Sequence, residues 1–284
     1  MKYLRILFLF YVLSSNLYSR DHIKVGILYE KIFTTKTEVK IGLKLWAKQM
    51  EKKKYDYYVD VILYEDKNKL IADYKNKKIL SLVLDTTSYY ENKEEIDAMS
   101  SDIWAVSKTS SVFQQFYLVK NIESKISLDK FDVKKIFYKE NMSRLWLESL
   151  FLKKNMSLDI ETYEKIEKAN KLVFNVFFNK NSISLMTRDL YDSMTKLNPQ
   201  IKLKLKVLEK SKKIFFDAIG FSRKDINENF KKTLDLIETD VNTNKNEFEA
   251  ISFTEVKQIF SLKENDLKEL DNFYKEYNYM KKNK

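Results

Sequence analysis

Residues 171–211 constrain the fold of this 284-residue chain more than any other stretch. Leu172–Phe178 is almost wholly apolar, and Ser182–Met186 forms a second, shorter apolar run. Thr187 then precedes a segment whose apolar residues recur at helical spacing, which is typical of a threonine-capped helix. The stretch therefore predicts a helix, a strand and a second helix in that order.

The only proline of the protein, Pro199, follows that second helix. A residue before proline is pushed out of the α region, so we expect the helix to end at Asn198. Lys202–Glu209 alternates lysine with leucine or valine, which is the period of a half-buried strand. Together with the preceding elements, it completes a β-α-β unit.

The N-terminal half repeats the same alternation. Ile23–Glu30, Tyr57–Tyr64 and Ile79–Leu84 are apolar runs of strand length, and the segments between them have helical spacing. Ser88 and Glu91 have the spacing of a capping box, which predicts a further helix after the third strand. Such an alternation favours a parallel sheet with right-handed crossovers, covered by helices on both faces.

The alternation breaks once and then restarts. Ile103–Val106 and Val112–Val119 are strand-like runs with no convincing helix between them, whereas Lys135–Tyr138 and an expected helix cap at Ser143 begin a new β-α unit. We therefore predict a two-lobed α/β protein with two hinge crossings. Residues 20–118 would form the first lobe and residues 119–210 the second, while residues 211–284 would return to the first lobe and end in helices.

The first 19 residues have the pattern of a signal peptide. Lys2 and Arg5 precede the apolar run Ile6–Leu13, and a polar segment ends at Ser19. Because a membrane-spanning helix needs about 20 apolar residues, cleavage near Ser19 and export to the periplasm are favoured over anchoring. An uncleaved anchor is the alternative.

The sequence lacks the residues that several classes of catalytic site require. There is no cysteine, which excludes disulfides, thiolate nucleophiles and a lipidated N-terminal cysteine, and His22 is the single histidine. Three glycines cannot supply a phosphate-binding loop or a dinucleotide fingerprint. We therefore predict no enzyme activity, no catalytic residue, no metal site and no cofactor.

The net charge of +11 permits nucleic acid, a membrane surface or an anionic small molecule as partner. The lysines are spread along the chain with acidic residues between them, and no basic stretch is interleaved with aromatic residues. Most of these lysines are expected on the solvated surface. The pattern speaks against nucleic acid.

Hydroxyl residues begin several predicted helices directly after a strand, namely Thr86, Thr87, Ser88, Ser143 and Thr187. At the carboxyl end of an open parallel sheet, such a start offers free backbone amides and a hydroxyl to an anion. Serine and threonine are also ordinary helix caps, and that explanation stays open for each. Arg144, in the first turn after Ser143, could pair with an oxyanion or face water.

Residues 177–211, FFNKNSISLMTRDLYDSMTKLNPQIKLKLKVLEKS, resemble the equivalent segment of phosphate/phosphonate-type (PhnD-like) substrate-binding proteins of ABC transporters. These belong to the type 2 periplasmic binding proteins, and the resemblance is strongest over about residues 165–215. It implies a two-lobed fold with a parallel-dominated sheet in each lobe. It also implies a small oxyanion ligand and a role in transport without catalysis.

The resemblance also implies which residues line the cleft. Tyrosines near the ends of the first and third strands, matched here by Tyr29 and Tyr89, would border the ligand, although packing in the core is an equal alternative. Ser143 and Thr187 match hydroxyls that bind the phosphoryl group. Ser182 replaces an acidic residue of the family, and its lack of a carboxylate argues against an aminoalkyl phosphonate.

Our expectation is a monomeric periplasmic protein that captures phosphate, a phosphonate or a similar oxyanion for an inner-membrane ABC permease. A sensor subunit of the same fold that partners a membrane signalling protein is one alternative. A basic exported protein that binds nucleic acid or an envelope polymer is another.

Overall fold

The computed structural model describes residues 21–28, 36–53, 55–156, 159–243 and 256–283. The predicted signal peptide and Tyr29 lie outside these ranges. Within them the chain forms two β-sheets, each flanked by helices. None of the helices in these ranges is long and apolar enough to cross a bilayer.

The first sheet has six strands and the second has five. The first contains β1 (Asp21–Leu28), β2 (Tyr57–Tyr64), β3 (Ser81–Leu84), β4 (Ser100–Ser107), β10 (Ala218–Arg223) and β11 (Gln258–Leu262), in the order β11-β4-β10-β3-β1-β2. The second contains β5 (Phe116–Asn121), β6 (Lys135–Tyr138), β7 (Tyr163–Lys165), β8 (Ser182–Thr187) and β9 (Leu205–Lys210), in the order β7-β6-β8-β5-β9.

Helices connect the strands within each lobe. Those of the first lobe are α1 (Lys36–Lys52), α2 (Lys67–Lys75), α3 (Thr86–Glu91), α4 (Lys93–Met99), α9 (Glu228–Thr243) and α10 (Glu264–Lys282). Those of the second are α5 (Asn141–Lys153), α6 (Ala169–Phe178), α7 (Arg188–Leu197) and α8 (Pro199–Lys204), with a 3₁₀ turn at Ile160–Thr162.

Both sheets are mixed, which corrects the expectation of parallel-dominated sheets. β1 pairs in parallel with β2 and β3, and β6 pairs in parallel with β7 and β8. The strands next to the crossings, β4, β5, β9 and β10, all pair in antiparallel fashion. The helical β-α-β connections impose parallel pairing, whereas a strand that enters or leaves a lobe runs in the opposite direction.

The chain passes between the lobes twice. β4 lies in the first sheet and β5 in the second, so the first crossing lies before Phe116 rather than at residue 119. The second crossing connects β9 to β10. Gln114 and Phe215 exchange two backbone hydrogen bonds, with N···O distances of 2.6 and 3.3 Å, and so hold the two crossings side by side.

Apolar packing continues from one lobe into the other. The largest cluster of buried side chains extends from Leu82 and Phe221 in the first sheet to Leu118 in the second. The rings of Phe116 and Phe215, one on each crossing, lie 4.8 Å apart at the junction. Two further clusters cover the outer face of each sheet.

Three local predictions from the sequence need correction. Asp85, not Ser88, caps α3, because its carboxylate accepts the Ser88 amide at 3.1 Å. The cap residue of α5 is Glu140, so Ser143 lies within the first turn. Lys202 belongs to α8 rather than to a strand, because Asn198 caps a new helix that begins at Pro199.

Gly220 in β10 pairs with Trp104 in β4, and its lack of a side chain makes room for the indole ring. A Cβ atom at Gly220 would overlap that ring. The glycine is therefore required by close packing and not by its backbone conformation.

We predict that Gly220→Ala destabilises the protein by about 1–3 kcal/mol, because the half-buried indole of Trp104 must shift to make room for the new methyl group. Urea unfolding measures the change. In the Trp104→Leu background the same alanine should cost much less. Equal costs in both backgrounds would show that the indole is not the cause.

Candidate functional site

The starts of three helices converge on the two crossings. Thr86, the first residue of α3, donates its hydroxyl hydrogen bond to the carbonyl of Phe216 at 3.1 Å. The backbone amide of Arg188, at the start of α7, donates to the carbonyl of Gln115 at 2.8 Å. Glu140, which directly precedes α5, lies within electrostatic reach of Lys108 and Asp217 on the two crossings. The positive ends of helices from both lobes therefore lie beside one hinge.

Asp217 connects the two crossings through its side chain. Its Oδ2 atom accepts hydrogen bonds from the Lys108 amide at 2.8 Å and from Gln114 Nε2 at 3.1 Å. Burial raises the pKa of Asp217 in spite of these bonds, and the negative charge of Asp189 in α7 raises it further. The carboxyl group thus holds a proton more tightly than an exposed aspartate.

Glu140 supplies a second buried carboxyl at the start of α5. Its Oε2 atom is inaccessible to solvent and makes no hydrogen bond. Burial raises the pKa of Glu140, opposed by the positive charges of Lys139 and Lys108, and Asp217 adds to the rise. An unpaired carboxylate oxygen is costly to bury, so this position favours either a proton or a donor from a ligand.

The start of α5 differs from the other two starts because no side chain caps it. Asp85 caps α3, and Thr187 caps α7 by accepting the Leu190 amide at 3.3 Å. The first amides of α5, those of Asn141 and Met142, therefore retain their capacity to bind an acceptor. Among these three helix starts, α5 is the best suited to an anion.

Thr86, Thr87 and Ser88 lie at the α3 start, but their hydroxyls face inward. Thr86 is bonded to the second crossing as described above, and Ser88 Oγ donates to Asp85 at 2.5 Å. The Thr87 hydroxyl is buried next to Tyr274 and has no well-formed hydrogen bond. These residues shape the junction between the lobes, and none presents a free donor at its surface.

The polar groups of Tyr89 and Arg144 already bind other side chains of the protein. The Tyr89 side chain is fully buried, and its hydroxyl donates to Asp97 at 2.9 Å. Arg144 Nε donates to Glu148 at 2.7 Å, and the guanidinium lies 4.9 Å from the centre of the Tyr163 ring. Both side chains already have polar partners.

Ser143 and Thr187 lie at helix starts of the second lobe, as the sequence indicates. Ser143 is buried, and its hydroxyl donates to the Glu140 carbonyl at 2.7 Å. Thr187 is half-buried and caps α7, which confirms its predicted capping role. Each hydroxyl oxygen can accept another hydrogen bond. The Ser143 hydroxyl proton is already donated to Glu140, and one lone pair of the Thr187 hydroxyl already accepts the Leu190 amide.

Ser182 is remote from these helix starts. It begins β8, whereas Thr187 ends it, so the two are separated by about 17 Å at roughly 3.3 Å per residue. Ser182 is also buried. The lack of a carboxylate at Ser182 therefore has no bearing on the junction between the lobes, and the sequence argument against an amino-bearing ligand does not hold.

Sequence reasoning missed Glu140, Asp217, Gln114 and Lys108. Their importance comes from the meeting of two distant crossings, which no local pattern encodes. Glu140 alone had a usable signal, because it lies two residues after β6 and directly before a helix. Its position between Lys139 and a polar residue suggested solvent instead.

A cavity of about 350 Å³ lies elsewhere, between the first sheet and helices α1 and α9. Its lining is mainly apolar and includes Trp46, Val59 and Trp104. It occupies the sheet face opposite to Leu82, so it is separate from the junction between the lobes.

Comparison with solved structures identifies the fold. The binding-protein component of an ABC phosphonate transporter from Pseudomonas aeruginosa aligns with a TM-score of 0.62 and 14% identity, over 93% of this chain and 88% of that protein. PhnD1 from Prochlorococcus marinus, in complex with methylphosphonate, aligns with a TM-score of 0.60 and 14% identity, over 92% and 99% of the two chains.

XAC2383 from Xanthomonas citri, bound to ATP, aligns with a TM-score of 0.65 and 9% identity, over 92% of this chain and 98% of that protein. No family model matches the sequence, and no curated protein matches it in sequence. The chain therefore has the two-lobed fold of type 2 periplasmic binding proteins, as the resemblance of residues 177–211 implies.

We predict that the stabilising effect of Glu140→Gln grows as the pH rises above 4.5, the ordinary pKa of glutamate. A glutamate whose folded-state pKa is raised above its ordinary value of 4.5 contributes stability that is lost as the pH rises through the folded-state pKa. Glutamine does not titrate, so the variant does not lose this stability as the pH rises. Melting temperatures of wild type and variant across the pH range measure the difference.

Glu123→Gln is the control on the same lobe. Lys180 lowers the pKa of Glu123, so this substitution should not stabilise the protein at any pH in that range. A melting-temperature difference between wild type and Glu140→Gln that stays constant with pH would contradict the account.

Proposed function

We propose that this chain is an exported solute-binding protein that captures a small oxyanion, such as phosphate or a phosphonate, between its lobes for an ABC importer. The observation that carries the proposal is the uncapped start of α5 at the junction between the lobes. The fold supports it, because structural neighbours with this fold include the binding-protein component of an ABC phosphonate transporter and PhnD1 in complex with methylphosphonate.

The chemistry at the junction suits an oxyanion in three ways. The amides of Asn141 and Met142 and the positive end of the α5 dipole attract negative charge. Lys108 and Lys139 add positive charge close to Glu140. A protonated Glu140, favoured by its burial, can donate a hydrogen bond to the anion instead of repelling it.

Closure would strengthen these bonds. Expelling water from the junction lowers the local dielectric constant, which makes each charge–dipole interaction stronger than it is in solution. The two crossings lie side by side, so a rotation about them would move one lobe relative to the other. Delivery to a permease, rather than to a membrane sensor, is the role favoured by the phosphonate-transporter neighbours.

A thermal-shift screen against phosphate, phosphite, methylphosphonate and sulfate tests the proposal. A ligand at one hundred times its Kd stabilises the folded state by about 2.7 kcal/mol, which corresponds to a rise in Tm of several degrees. We expect at least one phosphorus oxyanion to produce that rise. No shift with any of the four anions would contradict the proposal.

Asn141→Pro then tests the α5 start directly. The first helical position tolerates proline, and Glu140, with ψ of 126°, already has the extended backbone that precedes proline. The variant removes one amide donor, so Kd should rise about tenfold to a hundredfold while Tm without ligand stays near that of wild type. Isothermal titration calorimetry measures Kd.

Lys67→Pro is the matched control, because Lys67 occupies the same first position of α2, after an extended residue. It should leave Kd unchanged. Equal binding by wild type and Asn141→Pro would show that the α5 amide takes no part.

A further inference from the structure

We infer that the end of the second lobe opposite to the hinge is a docking surface for an anionic phospholipid membrane. We call it the tip surface. Its apolar members are Ile122, Phe174, Phe178 and Leu203, and its basic members are Lys125, Lys180, Lys202, Lys204 and Lys206. The inference does not depend on which ligand occupies the junction between the lobes.

Three segments meet at the tip surface. The amide of Ile122, just after β5, donates to the carbonyl of Lys204 at 2.7 Å. The side chain of Asn121 donates to the carbonyl of Phe177 near the end of α6 at 2.8 Å. Lys204 Nζ lies 5.1 Å from the centre of the Phe177 ring. The end of β5, the end of α6 and the end of α8 therefore form one continuous surface.

The loop that carries Ile122 is held in place by hydrogen bonds from the buried side chain of Lys120. Lys120 is buried, and its ammonium group donates to the carbonyls of Ser124 and Ile126, both at 2.7 Å. A buried ammonium with two carbonyl acceptors fixes the path of the chain between them. The protrusion of Ile122 is therefore built into the fold.

The apolar side chains of the tip surface are unusually exposed. Phe178 is 78% exposed, Leu203 74% and Ile122 54%. Phe174 lies one turn before Phe178 on the same face of α6 and is 42% exposed. Single exposed apolar residues are ordinary, but a group of four with two aromatic rings marks a contact surface.

The charge of the same three segments has one sign. Besides the buried Lys120, residues 120–125, 174–181 and 199–206 contain five exposed lysines and a single acidic residue, Glu123, which pairs with Lys180. Elsewhere the lysines alternate with acidic side chains, as along α10. A second copy of this chain would bring like charges together, so the partner must be anionic.

The combination of exposed rings and surrounding lysines fits an anionic bilayer surface. Aromatic and aliphatic side chains enter the boundary between headgroups and acyl chains, while lysines bind the phosphate groups. Nucleic acid would use the lysines but offers no apolar layer for Leu203 and Ile122. A membrane uses both features of the surface.

Docking by the tip surface leaves the junction between the lobes accessible. β5 begins at Phe116, which pairs with Thr187 next to the hinge, and ends at Asn121, which pairs with Leu205. The tip surface therefore lies one strand length away from the α5 and α7 starts. A protein held in this way would stay near the membrane with its ligand site open.

Vesicle co-sedimentation of the full chain tests the inference. The probes are vesicles of phosphatidylcholine alone and vesicles that also contain phosphatidylglycerol. We expect binding only to the second kind. Phe174→Ser with Phe178→Ser should weaken it about tenfold through lost apolar burial, and Lys202→Glu with Lys206→Glu by tenfold or more.

Two controls isolate the surface. Leu236→Ser removes an apolar side chain that is 51% exposed on α9, between Asp235 and Glu238, and should leave binding unchanged. Lys268→Glu with Lys275→Glu on α10 matches the change in net charge and should weaken binding much less. Circular dichroism and Tm verify that each variant folds.

Several results would overturn the inference. One is no binding of the wild type to anionic vesicles. A second is wild-type binding by the phenylalanine variant, which would mean electrostatic adsorption alone. A third is equal weakening by both lysine pairs. Binding to RNA that depends on the same lysines, with none to vesicles, would identify a nucleic-acid surface instead.

Discussion

The pairing of the two crossings is the constraint on which this structure depends. Two backbone hydrogen bonds join Gln114 to Phe215, and Asp217 accepts bonds from Lys108 and Gln114 at the same place. The rings of Phe116 and Phe215 pack directly beside these bonds. Because the two crossings lie side by side, the edges of the two sheets next to them also lie together. Helices that begin at those edges therefore have their N-terminal ends at one junction. The α3, α5 and α7 starts meet there for that reason.

The same packing makes the junction electrostatically unusual. It buries Glu140 and Asp217 away from water, and their raised pKa values follow from that burial. A protonated Glu140 would be a hydrogen-bond donor next to the uncapped α5 start. The amides at the α5 start and a protonated Glu140 are the donors that the junction would offer to an oxyanion.

Much of the fold could be predicted from periodicity because its elements are local. The β-α alternation, the helix that begins after Thr187 and its end before Pro199 all agree with the structure. Strand direction could not be predicted in the same way, since antiparallel pairing of β4 and β10 depends on residues more than a hundred positions apart. Lys202 shows a further limit, because its alternating pattern suits a strand while the Asn198 cap and Pro199 begin a helix.

The site was harder to predict than the fold. Hydroxyl residues at helix starts are visible in a sequence, but whether their hydrogen bonds are already satisfied is not. Ser143 bonds to the Glu140 carbonyl and Ser88 to Asp85, so both act within their own helices. Glu140 and Asp217 became candidates only through burial, which depends on how the lobes meet. The donors available to a ligand at the α5 start are therefore backbone amides rather than side-chain hydroxyls.

The central claim is that an oxyanion bound at the α5 start draws the lobes together. The chain has no native cysteine, so Lys69→Cys on α2 and Ser193→Cys on α7, both exposed, allow one spin label on each lobe. Double electron–electron resonance would then measure the distance between the labels with and without the anion that raises Tm. The account predicts a broad distribution that narrows and shifts to shorter distance when the anion binds. Identical distributions in both conditions would contradict it.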